Sequence, residues 1–140
     1  MSNATKNKTT RKKTKISPTQ LTMAWMKRRG FIAQIVERWN PFAKVRQDLF
    51  QVIDIVAVNE QGDLLGIQVT TRANISSRRA KVRESLGAMY WATHNQVEVH
   101  GWQKVGPRWT VKVCEMEYDK YKAMWVEKEF EGDTSKKAAQ

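Results

Sequence analysis

QVIDIVAV (51–58), followed by NEQGD (59–63) and LLGIQVT (64–70), decides the fold. Two apolar, β-branched runs separated by a turn containing Gln61-Gly62 read as an antiparallel hairpin. The exception inside it is Asp54, a carboxylate in a run that otherwise belongs to a core, where an unpaired charge is costly. On the partner strand Gln68 and Thr70 stand two apart and therefore share a face. Three polar groups thus meet on one side of an apolar unit. Asp48, six residues before Asp54, and Glu37 bring further carboxylates near them. Carboxylate and amide oxygens suit a hard divalent cation such as Mg²⁺, so one reading is a metal site. The other is a hydrogen-bonded network that Asp54 closes with Arg46 or Arg72.

Elements on either side extend the pattern. Ser17-Pro18 supplies an N-cap and a first-turn proline, Leu21, Ala24, Trp25 and Arg28 follow one helical face, and Gly30 stops the helix after Lys27-Arg28-Arg29. FIAQIVERW (31–39) suits a strand, and Asn40-Pro41 turns the chain. Asn74 or Ser76 caps a second helix over about residues 76–92, striped by Val82, Leu86, Met89 and Tyr90. QVEVHGWQKV (96–105) and RWTVKVCEM (108–116) are two strands joined at Gly106-Pro107. Tyr121, Met124 and Trp125 suggest a short terminal helix within 117–130. The order α-β-β-β-α-β-β implies an α/β or α+β domain, a sheet with helices packed on it.

At 140 residues with a net charge of +11, the chain suits one domain and a polyanionic partner. Residues 1–15 carry six cations, among them Lys12 and Lys13, and no acid, so residues 1–16 read as a disordered basic arm. Residues 17–130 form the domain and 131–140 a flexible tail. A second basic cluster, Arg72, Arg78, Arg79, Lys81 and Arg83, lies inside the domain, and two such patches favour nucleic acid. The lone Cys114 excludes a disulfide framework or a cysteine-rich zinc site. His94 and His100 lack the spacing of a helical metal pair. No stretch approaches the ~20 apolar residues of a membrane span, and no secretory signal follows the basic start. A soluble cytoplasmic protein is expected. Trp102 and Trp109, flanking the Gly106-Pro107 turn, offer a candidate homodimer surface.

The helix, then RGFIAQIVERW, then VIDIVAV, a turn and GIQVT resemble the PD-(D/E)xK, restriction-endonuclease-like nucleases, and within them the Holliday junction resolvase-like proteins. The resemblance covers residues 17 to about 93. It implies an αβββαβ core with a mixed central sheet flanked by helices, to which the 96–116 hairpin is added. Asp54 matches the motif aspartate, with Ile53 where the family usually has proline. Gln68 falls on the acidic position and Thr70 on the lysine position, both departures from the motif. Gln68 keeps an oxygen ligand but loses a charge, and Thr70 supplies no cation. Asp48 and Glu37 are candidates to restore the negative charge, and Lys81, Arg78, Lys44 or Arg46 to replace the lysine.

What the resemblance implies is a Mg²⁺- (or Mn²⁺-) dependent, structure-selective DNA endonuclease of phage or mobile-element origin, acting in host cytoplasm or nucleoid. Asp54, Gln68 and Asp48, with Glu37, would hold the metal, and Lys81 or Arg78 would stabilise charge on phosphorus. Lys12, Lys13, Lys44, Arg46 and the 72–83 cluster would contact phosphates of branched or double-stranded DNA. Two symmetric cuts in a junction would require a homodimer. The Gln68-Val69-Thr70 departure also admits a DNA-binding relative without catalysis, and the basic arm a protein that binds RNA or another acidic partner.

Overall fold

A computed structural model describes residues 15–135. Lys12 and Lys13, with most of the expected basic arm and the last five residues, lie outside them. Helix α1 (Pro18–Arg28) begins with a reciprocal cap: Ser17 Oγ accepts from the Gln20 N–H at 3.2 Å, and Gln20 Oε1 accepts from the Ser17 N–H at 3.1 Å. It ends where Gly30 takes φ +89°, a left-handed conformation that glycine adopts without steric penalty.

Strand β1 (Phe31–Ile35) follows, then a separate two-stranded sheet of β2 (Arg38–Asn40) and β3 (Val45–Gln47), then β4 (Ile55–Asn59) and β5 (Leu64–Thr71). A 3₁₀ turn leads into α2 (Ile75–Glu84) and α3 (Leu86–His94), and the chain ends with β6 (Gln96–Val105), β7 (Arg108–Asp119) and β8 (Met124–Glu131). Six strands form one mixed sheet in the order β1-β4-β5-β6-β7-β8. Only the β5–β6 pair, connected through α2 and α3, is parallel. The result is an α/β fold in which three α-helices flank a mixed sheet.

Two cores lie on opposite faces of that sheet. On one face Trp25 and Met26 of α1 pack with Ile55, Ile67, Val69 and Trp102, and on the other Val82 of α2 and Ala88 of α3 pack with Ile53, Val97, Val99 and Met116. Each large apolar side chain removed from water on either face contributes about 1.5–3 kcal/mol. Gly66 in β5 is a packing requirement, because a Cβ there would meet Ile53 Cδ1 at 2.7 Å. Its absence lets Ile53, the residue before Asp54, seat against the sheet.

Several expectations are corrected. The terminal helix is instead β8: MWVEKEFE alternates with period two, Trp125 stacks edge-on against Tyr118 across β7 at 5.5 Å, and the Asp119–Ala123 turn reverses the chain. The helix expected over 76–92 is two. Ser85 is extended (φ −90°, ψ 115°), and its hydroxyl caps α3 by accepting from the Ala88 N–H. That break rephases the apolar stripe, burying Val82 and leaving Leu86 and Tyr90 exposed. The first strand stops at Ile35, and residues 51–54 precede β4 rather than belonging to it. β6 and β7 do turn at Gly106-Pro107, but as inner strands of the one sheet, not an added hairpin. Trp102 is 2% exposed in the α1 core, so it provides no dimer surface. The fold also runs past residue 130, since the Gly132 N–H donates to Val111 O and the Asp133 carbonyl accepts from Trp25 Nε1. Among the described residues no helix is long and apolar enough to cross a membrane.

Candidate metal centre

Asp54 sits where three pieces of chain converge. Its N–H donates to Ile67 O at 2.8 Å, extending the β4–β5 ladder by one residue. Its carbonyl accepts from the N–H groups of Val36 and Glu37 at 2.8 and 3.4 Å, which ties Glu37 to it just as the chain leaves β1. Asp48 arrives through a tight loop: Leu49 and Ile53 exchange backbone hydrogen bonds, both at 2.9 Å, around Phe50 and Gln51 with φ +53° and +66°. Two consecutive non-glycine residues in the left-handed region are strained, and the strain lies in the loop that folds Asp48 back toward Asp54.

Carboxylate oxygens of Glu37, Asp48 and Asp54 consequently lie within 4.8 Å of one another. Asp54 is 6% exposed. Its Oδ2 accepts from Gln68 Nε2 at 2.6 Å and from the Val69 N–H at 2.8 Å. Burial drives its pKa up from 3.8 to about 7. The Val69 bond opposes that rise, while the charge of Asp48, a hydrogen bond between the two carboxyl groups and the charge of Glu37 add to it. Among the described residues no arginine closes the Asp54 network; Arg46 pairs with Glu37, at 3.6 Å, and Arg72 lies with Glu131.

The donor set fits a hard divalent cation. Oxygens bound to one Mg²⁺ at about 2.1 Å lie at most about 4.2 Å apart, close to the spacing of this cluster. Gln68 supplies the independent sign. It is 2% exposed, its amide nitrogen is held by Asp54, and its Oε1 is buried without a hydrogen-bond partner. An orphaned buried carbonyl is uncommon and calls for an explanation, and a cation held by the neighbouring carboxylates would provide one. Thr70, 7% exposed, is buried on the same face of β5 as Gln68.

The cations divide into two groups. Arg79 and Arg83 converge on Glu127 with contacts of 2.7 to 2.9 Å, and Arg79 also meets Glu129. Arg72 reaches Glu131 at 2.7 Å. These three, expected to meet phosphates, are engaged by β8, the strand that the sequence reading took for a helix. Lys44, Arg78 and Lys81 have no carboxylate partner among the described residues. Lys81 lines a cleft of about 660 Å³ that also contains Arg38, Arg46 and Asp48.

A second buried polar cluster escaped the sequence reading altogether. Glu98 and His100, 1% and 0% exposed, are bonded to each other at 2.7 Å on the α1 face of β6. Arg29 reaches both Glu98 oxygens at 3.0 and 3.3 Å, Thr22 Oγ1 meets His100 Nδ1 at 3.1 Å, and Trp102 Nε1 donates to Thr22 at 2.8 Å. The only signal was alternation, since Glu98, His100 and Trp102 share a period-two face.

Comparison with protein-family models, with curated proteins and with solved structures finds no match for the chain.

Proposed function

We propose that this protein is a Mg²⁺- or Mn²⁺-dependent DNA endonuclease that hydrolyses phosphodiester bonds, structure-selective and related to the PD-(D/E)xK, Holliday junction resolvase-like nucleases. The observation that carries the reading is the Glu37–Asp48–Asp54 cluster, with a buried carboxyl raised to about 7 and an orphaned Gln68 carbonyl beside it. Supporting it are the element order in the main sheet, helix, three strands each antiparallel to its neighbour, helices and a parallel strand, and a cation-lined cleft beside Asp48.

Asp54, Asp48 and Glu37 would hold the ion, with Gln68 Oε1 as neutral donor. A bound divalent ion supplies a Lewis acid for the phosphodiester and lowers the pKa of an attacking water. The chain's own contribution is positioning. The Val69 N–H and Gln68 Nε2 fix the Asp54 carboxyl, and the 48–53 loop fixes Asp48. Lys81 and Arg46, on the walls of the cleft, face the charge that develops on phosphorus, taking the place of the motif lysine that Thr70 cannot fill. Lys44, Arg78 and the basic arm steer the polyanion, so affinity falls steeply with salt.

Branched, flapped and linear DNA incubated with Mg²⁺ or Mn²⁺ tests the reading. Wild type should cleave a branched substrate, and Asp54→Ala should lose at least about a thousandfold in rate, the scale of removing a principal electrostatic group. Cleavage surviving in Asp54→Ala overturns the site. Gln68 and Thr70, standing where the motif has an acid and a lysine, support a second reading, a DNA-binding relative without catalysis; tight binding of branched DNA with no cleavage in either metal would select it.

A further inference from the structure

The β2–β3 hairpin is the part of the fold that the packing does not explain. It is a sheet of its own, and from Arg38 to Gln47 every residue is exposed except the half-buried Asn40. Phe42, at its tip, is 96% exposed and Trp39 is 56% exposed. Isolated apolar side chains on a surface are ordinary. This one is held in place: Asn40 Oδ1 accepts from the N–H groups of Phe42 and Ala43 at 2.9 and 3.1 Å, and the Lys44 N–H donates to Asn40 O at 2.8 Å. Pro41 restricts the turn further. The tip is a defined shape that presents an aromatic ring to solvent.

Its surroundings indicate what the ring meets. Arg38, Lys44 and Arg46 flank it, and no acid occurs between Glu37 and Asp48. Those two carboxylates stand at the base, so one hairpin carries an aromatic tip, basic edges and two members of the metal cluster. Basic flanks neutralise phosphates, and an apolar side chain among them can enter a base step and unstack it.

Resting on the endonuclease reading, we infer that the β2–β3 hairpin grips DNA at a branch point or other disrupted step, Arg38, Lys44 and Arg46 on the phosphates and Phe42 wedged against the unstacked base. Unstacking is least costly where pairing is already interrupted, so the wedge confers structure selectivity without base-specific contacts. The arm also sets a distance. At about 3.4 Å per residue the tip stands roughly 14–17 Å from Glu37 and Asp48, which corresponds to about four to five nucleotide steps. The bond brought to the carboxylates is that far along the strand from the wedged step.

The experiment uses the full chain in EDTA, so that binding is separated from cleavage, and four-way and flap DNA bearing 2-aminopurine at successive positions around the branch. Wild type should brighten the probe at the branch-proximal step. Phe42→Ala should abolish that response and weaken binding roughly tenfold, the scale of one lost base–aromatic stack, and Phe42→Trp should restore both. Thermal melts should coincide, since the ring buries nothing. In Mn²⁺ the cut should fall about four to five steps from the responsive base. If wild type binds DNA but Phe42→Ala binds equally and the probe stays silent, the wedge is overturned while the endonuclease reading stands. If wild type binds no DNA of any form, that reading is overturned and the inference with it. Sedimentation with anionic vesicles that Phe42→Ala abolishes, without a DNA response, assigns the tip to a membrane surface and overturns the wedge.

Discussion

One sheet carries two buried carboxylates, one on each face, and they are treated in opposite ways. Glu98, on the α1 face, is surrounded by donors. Burial raises its pKa, but the bonds and charges of His100 and Arg29 outweigh that and bring it down to about 2. Asp54, on the α2–α3 face, has two neutral donors and two further carboxylates, and burial with like charge pushes it up to about 7. The desolvation is of the same kind at both; the neighbours differ. Glu98 is complete within this chain, its charge balanced and its lone pairs occupied, as a structural ion pair requires. Asp54 is incomplete, with surplus negative charge and an unsatisfied amide oxygen beside it. Such a cluster could hold a divalent cation between its carboxylates, and perturbed carboxyl groups of this sort concentrate at functional sites.

The largest expected effect comes from breaking the satisfied cluster. Arg29→Met removes a guanidinium that is 26% exposed from a carboxylate that is 1% exposed, leaving a buried charge with His100 as its remaining side-chain hydrogen-bond partner. A loss of about 3–5 kcal/mol in urea unfolding at pH 7 is expected. The pH dependence has a definite sign. Folding lowers the Glu98 pKa from 4.5 to about 2, so its stabilisation is present above about pH 4.5 and disappears as the pH falls toward 2. Arg29→Met should flatten that acid limb, and a variant as stable as wild type at pH 7 would refute the account of Glu98.

Mutating Asp54 should do the reverse. A folded pKa of about 7 against the ordinary 3.8 of an aspartate means the native state binds the proton more tightly. Wild-type stability therefore falls as the pH rises from about 4 to 7 and stays low above that. Asp54→Asn removes the penalty and should stabilise the metal-free protein by about 2–3 kcal/mol at pH 8, with little effect at pH 4. Saturating Mg²⁺ or Mn²⁺ should close the gap, raising wild type by about 2.7 kcal/mol at a hundred times Kd and leaving Asp54→Asn unmoved. Thermal melts with and without metal at both pH values read the whole square. A variant that is more stable and inactive is the signature of a site held against its own stability.

How far each region was legible follows from the range of the interactions that make it. The α1 cap, the 51–70 hairpin and the Asp54–Gln68 pairing rest on contacts within about fifteen residues, and periodicity and turn chemistry expose them. The Glu37–Asp48–Asp54 grouping was visible as three carboxylates in sequence order, but the backbone bonds that gather them were not. Glu98 was missed because its partner Arg29 is 69 positions away, and a lone glutamate in an alternating strand reads as a solvent-facing residue. β8 was mistaken for a helix because Tyr121, Met124 and Trp125 match helical spacing; Glu127 and Glu129, which match a strand, acquire meaning only once Arg79 and Arg83 lie opposite. The pairing of Arg72, Arg79 and Arg83 with glutamates of β8 was hidden for the same reason, since those ion pairs are invisible until β8 is placed.

The smallest effect sharpens the comparison most. Asp48→Asn keeps the shape of the loop and deletes one like charge and one shared proton beside Asp54. The midpoint of Asp54, followed by the chemical shift of its carboxyl carbon, should drop by about one pH unit. His100→Gln removes one of the supports of Glu98 and should raise that midpoint from about 2. Two substitutions, each taking away a single neighbour, would then move two buried carboxyls in opposite directions, each toward its ordinary value. Were Asp54 to stay near 7 in Asp48→Asn, burial with the charge of Glu37 would account for its pKa, and Asp48 would be a neighbour without acting with Asp54 as one electrostatic unit. A downward movement means that they share charge in solution, as ligands of one cation must.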